Sequence, residues 1–130
     1  MLAEQRLVEA TTLLDAGHWD GAYYLGGYVI ECALKACIAK KTREHDFHDK
    51  SLVDKSYTHN LSQLLGVAGL TIPFNDRARD QPAFDKNWKT IVGWSEYARY
   101  QRHEEQTSKA FLDAIANDSN GVFPWLKTHW

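Results

Sequence analysis

An arginine and a histidine four positions apart, Arg99 and His103, are the pair in this chain with the most direct chemical use. If their segment is helical, positions i and i+4 share a face, so a guanidinium and an imidazole would converge on one point. A guanidinium holds phosphate through charge-assisted, bidentate hydrogen bonds. An imidazole titrates near neutrality and so can move protons. The plain alternative is a surface Arg and His at a helix end, where the helix dipole favours cations. Trp94, Tyr97 and Tyr100 flank the arginine. Such rings stack on bases, and at helical spacing they equally build a core or an interface.

A second constellation centres on Glu31, the lone acid in YYLGGYVIECALKACI (Tyr23 to Ile38). A partly buried carboxylate needs a partner. Arg99 is one candidate, if the second and fourth helices are neighbours. Lys35 is the other, one turn on in the favourable Glu-then-Lys order, with both residues on a solvated stripe. His59 opens a third helix beside Thr58; it could serve as a proton-transfer imidazole, or simply pack at the helix start and bond the backbone. The run Glu44 to Asp49 has metal-ligand composition, but its spacing matches no zinc pattern, so neither a metal nor a cofactor is expected. Cys32 and Cys37 lie five residues apart on one helix, roughly 7.5 Å along its axis. That exceeds the reach of about 7 Å for a disulfide, so both read as free thiols.

The elements that must position these groups follow from periodicity. The chain has 130 residues, 44% hydrophobic and 25% charged, which fits one globular domain. No strand alternation or repeat is evident, and helical spacing dominates. The first helix is expected over Leu2 to Ala16, with Ala3, Leu7, Ala10 and Leu14 as its stripe and Gly17 as its stop. The second runs from Trp19 to about Lys41. Ala22, Leu25, Val29, Cys32 and Ala36 form one apolar face; Tyr23, Gly27, Ile30, Leu34 and Cys37 form another. Two such faces describe a central helix with neighbours on both sides. Gly26 and Gly27 each cost about 1 kcal/mol of helix propensity, which points to close approach by another helix, in this chain or across a dimer. A polar loop, Thr42 to Ser56, leads to the third helix, buried through Leu61, Leu64, Leu65 and Ala68 and ended by Gly69. Leu70 to Gln81 reads as irregular. Pro82 opens a fourth helix reaching about Tyr100, with Phe84, Trp88, Ile91 and Ser95 in line. A fifth starts near Glu104 and Glu105, with Ala110, Phe111, Ala114 and Ile115 inward. A last turn spans Pro124 to Lys127, where Trp125 and Trp130 clamp the tail. The fold class is therefore all-α, an up-and-down bundle of about five helices.

Net charge is −2, which argues against a surface coated in basic charge for duplex binding and leaves room for a local basic site. No apolar run reaches the roughly 18 residues of a membrane span. MLAEQRLVEA lacks the plan of a secretory signal. A cytoplasmic location is the expectation.

The segment LLDAGHWDGAYYLGGYVIECALKACIAK, Leu13 to Lys40, resembles the first helical hairpin of HEPN-domain proteins. THNLSQLL (Thr58 to Leu65), WSEYARY (Trp94 to Tyr100) and GVFPWLKTHW (Gly121 to Trp130) extend the resemblance over nearly the whole chain. It implies an up-and-down bundle that commonly forms a homodimer. Many members are RNase toxins or defence effectors, often encoded beside a nucleotidyltransferase-type partner. Their Arg-x(4–6)-His motif lies on the later helices, is doubled across the dimer, and cleaves RNA without metal. Carried over, Arg99 and His103 would be the catalytic pair; Glu31, His59 and Tyr100 are candidate supporting residues from the reading of the residues themselves. Here only three residues separate Arg99 from His103. Arg43 and His48 have the family spacing, but they follow the second helix and read as a chance match. Three readings stand: RNA or nucleotide-phosphate binding with metal-independent RNase activity; a non-catalytic dimerising module of a toxin–antitoxin or mobile-element system; and a generic helical adaptor.

Overall fold

The computed structural model describes residues 1–44 and 54–130, with the backbone alone at Glu44. Among the described residues the chain is entirely helical, with no strand. Most of the Glu44 to Asp49 run and of the expected Thr42 to Ser56 loop lies outside them; within that loop, α2 extends to Glu44 and residues 54–56 are helical.

Helix α1 (Leu2–Asp15) stops at Gly17, whose φ of +84° is the left-handed conformation that glycine adopts without a Cβ clash. Helix α2 (Trp19–Glu44) is the hub. It packs on α1, on α3 (Leu61–Val67), on α6 (Glu105–Ala116), on α7 (Val122–Lys127) and on a short 3-10 segment, Glu96–Tyr100. Of its buried residues, Ala22 and Val29 come from one expected face and Ile30, Leu34 and Cys37 from the other, while Ala33 and Ile38, on neither, are buried as well. Burying each large aliphatic side chain contributes about 1.5–3 kcal/mol, so this helix anchors the core.

The glycine pair is explained by side chains of the same chain, not by another helix backbone. A Cβ at Gly27 would overlap the indole ring of Trp94. One at Gly26 would lie 2.7 Å from Leu112 Cδ2 and 3.1 Å from the Phe111 ring. The propensity lost at both positions is offset by two aromatic rings seated flush on the helix.

Two expectations are overturned in the middle of the chain. Leu70 to Gln81 is not irregular: α4 spans Thr71–Asp80. Pro73 falls in its first turn, where the backbone N–H has no intrahelical acceptor in any case. Phe74 supplies the tertiary anchor, packing against Phe84 (ring centroids 5.5 Å apart) and Trp88 (5.1 Å). The fourth expected helix is also shorter. Helix α5 (Pro82–Ile91) ends before Gly93, and Ser95 then caps the 3-10 segment by accepting the Tyr97 N–H at 3.3 Å. The break swings Trp94 inward onto Gly27. Helix α6 buries Phe111, Leu112, Ala114 and Ile115, while Ala110, expected inward, faces solvent. The Asn117–Gly121 turn is held by Arg77 donating to the Ser119 carbonyl and Asn87 to that of Asn120, each at 2.9 Å. In α7, Trp125 packs on Phe84 at 5.3 Å.

Gly27→Ala is expected to lower stability by about 1–3 kcal/mol, the usual cost of overpacking a core. Gly66→Ala in α3, where an added methyl meets none of the described residues within 4 Å, is expected to raise stability by up to about 1 kcal/mol through helix propensity. Urea unfolding midpoints of the two variants check both signs.

Candidate functional site

Glu31 is buried, with only 4% of its surface exposed. Its carboxylate pairs with His59 Nδ1, and Lys35 Nζ lies 3.8 Å from its other oxygen. The expected Glu31–Arg99 contact does not form, and the stripe expected to be solvated is covered at its centre. His59 reaches Glu31 because the entry to α3 is locally built. Asn60 caps the helix by accepting the Gln63 N–H at 2.9 Å, and Thr58 Oγ1 accepts the Asn60 N–H at 3.1 Å. Buried Leu61 and Leu64 then seat α3 on α2. An imidazole and a lysine beside one carboxylate supply the partners that a buried acid requires.

Aromatic rings wall this pair. Tyr28 meets His59 edge to face at 6.1 Å and Trp94 at 4.9 Å. The Tyr24 hydroxyl donates to that of Tyr28 at 3.4 Å. Burial, the Tyr24 hydroxyl and the carboxylates of Glu31 and Glu96, in that order, push the Tyr28 phenol well above its ordinary pKa. Tyr28 therefore stays protonated and cannot act as a base near neutrality.

Arg99 is exposed. Its guanidinium lies 4.7 Å over the ring of Tyr100. Tyr100 first, and Tyr24 after it, hold its pKa above the ordinary arginine value, so its charge is permanent. Tyr97 and Tyr100 are 64% and 73% exposed.

His103 does not share a helical face with Arg99. The 3-10 segment ends at Tyr100, Gln101 is extended (φ −104°, ψ 154°), and α6 starts only at Glu105. The His103 ring stacks on Tyr23 at 3.7 Å, and Tyr23 stacks on Phe111 at 4.1 Å. Its backbone N–H donates to the Asp20 carboxylate, and its buried Nε2 has no hydrogen-bond partner among the described residues. Of the five candidate residues, the structure thus brings Glu31 and His59 into contact and sets Arg99 on Tyr100, while His103 stands apart on Tyr23. The sequence reading missed Trp94 as the wedge that organises the site and Lys35 as a simultaneous partner of Glu31. Ser95 followed by Glu96, a cap residue with an acid behind it, is the local signal that marks the break.

Cys32 and Cys37 are free thiols. Burial pushes Cys37 up to about 11, which keeps it protonated and inert.

No protein-family model matches this chain, and neither a curated protein nor a solved structure matches it.

A double-mutant cycle with Glu31→Gln and His59→Ala is expected to show coupling of about 0.5–3 kcal/mol in urea unfolding, while Arg99→Ala stays within about 0.5 kcal/mol of wild type. The folded state holds the Cys37 proton up to about pH 11, whereas the ordinary thiol value is 9.0. The unfolded state therefore loses that proton first, and stability falls as pH rises from about 9 to about 11. Denaturant titrations of wild type and Cys37→Ala across that window isolate the contribution.

Proposed function

We propose that this chain is a HEPN-like helical domain that binds unpaired RNA or a nucleotide phosphate, in a toxin–antitoxin or defence setting. One observation carries the reading: the exposed guanidinium of Arg99, held over Tyr100 beside a second exposed ring, Tyr97. In a 3-10 helix, side chains at i and i+3 eclipse, which puts Tyr97 and Tyr100 on one face. Exposed rings on one face offer stacking surfaces worth about 1–3 kcal/mol per base. A fixed guanidinium beside them suits the connecting phosphate. The setting rests on the resemblance of Leu13 to Lys40 and the downstream segments to HEPN domains. A net charge of −2 suits one local strand site better than a duplex wrapped in basic surface.

The geometry favours binding over cleavage. RNA scission of the family type needs an arginine and a histidine at one phosphate, and His103 is engaged on Tyr23 instead. The Glu31–His59 pair joins two groups that could share a proton, but the carboxylate is buried. Cleavage by this chain would require a second copy to bring a histidine to Arg99. That homodimer, and a nucleotidyltransferase-type partner protein, belong to the proposal as expectations.

Fluorescence anisotropy with a labelled oligouridine is the direct test. Arg99→Ala is expected to weaken binding and to lower the slope of log affinity against log salt by about 0.7, the loss of one single-strand phosphate contact. An unchanged slope would remove Arg99 from the interface. In EDTA the wild type is expected to leave the RNA intact. Metal-independent cutting that His103→Ala abolishes would transfer the assignment to a nuclease.

A further inference from the structure

A cleft of about 360 Å3 lies where the last turns of α2 meet the residues that close α3 and α7. Its polar lining is Lys40, Lys41, Thr128 and His129, and no acid is among its described lining residues. In a chain of net charge −2, three basic groups at one point need a reason. Lysines near helix C-termini ordinarily bond the last carbonyls. Here the carbonyls that close α3 and α7 are already taken. Those of Leu64, Leu65 and Gly66 accept the N–H groups of Ala68, Leu70 and Gly69, and those of Trp125 and Leu126 accept those of Thr128 and His129. The Lys41 ammonium instead lies 2.9 Å from where a Cβ on Gly69 would stand, a position that glycine at φ +72° leaves empty. Lys41 is half-buried and makes no hydrogen bond or ion pair among the described residues. His129 packs on Trp125 at 4.6 Å, and neither of its ring nitrogens has a hydrogen-bond partner among the described residues. Burial, and after it the charge of Lys40, lower its pKa.

We propose that this cleft is a site for a phosphate dianion, free or carried as the 5′-phosphate of a nucleotide. A phosphate offers acceptors to the ammonium and the imidazole that lack them, in charge-assisted hydrogen bonds. Its negative charge offsets the repulsion among cations that otherwise face one another. The volume falls in the usual range of ligand pockets, roughly 300–1,000 Å3, so there is room for the sugar that a nucleotide carries. This site is not the one at Arg99. Tyr24, a neighbour of that guanidinium, lies about 24 Å along α2 from Lys40. The assignment is therefore independent of RNA binding there.

The test follows the His129 imidazole by NMR, assigned by its loss in His129→Gln, as inorganic phosphate, uridine monophosphate or uridine is added. Inorganic phosphate and uridine monophosphate are each expected to move the resonance saturably. Each should also raise the pKa of the imidazole, because a nearby anion favours its charged form. Tighter binding of uridine monophosphate assigns the site to nucleotides; equal binding assigns it to the phosphate group alone. Lys41→Met is expected to weaken either by on the order of tenfold, the worth of one hydrogen bond to a charged group. Lys89→Met removes an exposed lysine that pairs with Asp85 and should leave both affinities unchanged. Equal weakening by the two variants would overturn the site and leave only nonspecific charge. No movement with either phosphate compound, or an equal response to uridine, would overturn it as well. If Lys41→Met does not fold, the wild-type titrations decide the point.

Discussion

The fit of Trp94 against Gly27 governs the arrangement of this molecule. Removing one side chain from the middle of α2 lets an indole lie directly on the helix backbone. For the indole to arrive there, the chain must leave α5 at Ile91 and turn inward. That turn forces the next five residues into a capped 3-10 segment, which sets Tyr97, Arg99 and Tyr100 outside and Ala98 inside. The indole also props Tyr28 edge-on, and Tyr28 meets His59 edge to face. The exposed basic and aromatic surface and the ring that meets His59 therefore share one mechanical origin.

Burying a carboxylate in the hub helix is costly, and its compensation is shared between near and distant sequence. Lys35 comes from the same helix one turn on; His59 comes from the start of α3, 28 residues away. Breaking such a pair leaves an uncompensated charge, whereas an apolar replacement of the whole set is often tolerated. The pair therefore says more about which packing of α3 on α2 is allowed than about net stability. Any function built on His59 inherits that constraint, because its Nδ1 is already engaged. Among the described residues Arg99 has no such tie to a carboxylate, which is why the proposed RNA contact is placed there.

Helical spacing was enough to read α1, α2, α3 and α6, because each repeats buried residues on a stripe: Leu61, Leu64, Leu65 and Ala68 are all buried where the pattern puts them. It was not enough for α4, whose local composition is polar and whose helix depends on Phe74 meeting Phe84 and Trp88. Nor was it enough for the end of α5. Phe84, Trp88, Ile91 and Ser95 satisfy a helical period through Ser95, so periodicity alone runs past the break. The cue was local, the capping Ser95 followed by the acid Glu96, two residues after Gly93.

The amino-acid sequence by itself determined an all-helical chain, a doubly apolar second helix and two thiols that cannot bridge. These follow from residue spacing along one element, which obeys the same 3.6-residue period wherever the element is placed. It also limited Glu31 to a short list of partners. Which partner met it was decided only by tertiary structure. A side chain's neighbours across elements depend on where chains turn, and the turn at Gly93 sent Arg99 out to Tyr100 and His103 to Tyr23 while α3 brought His59 to the acid.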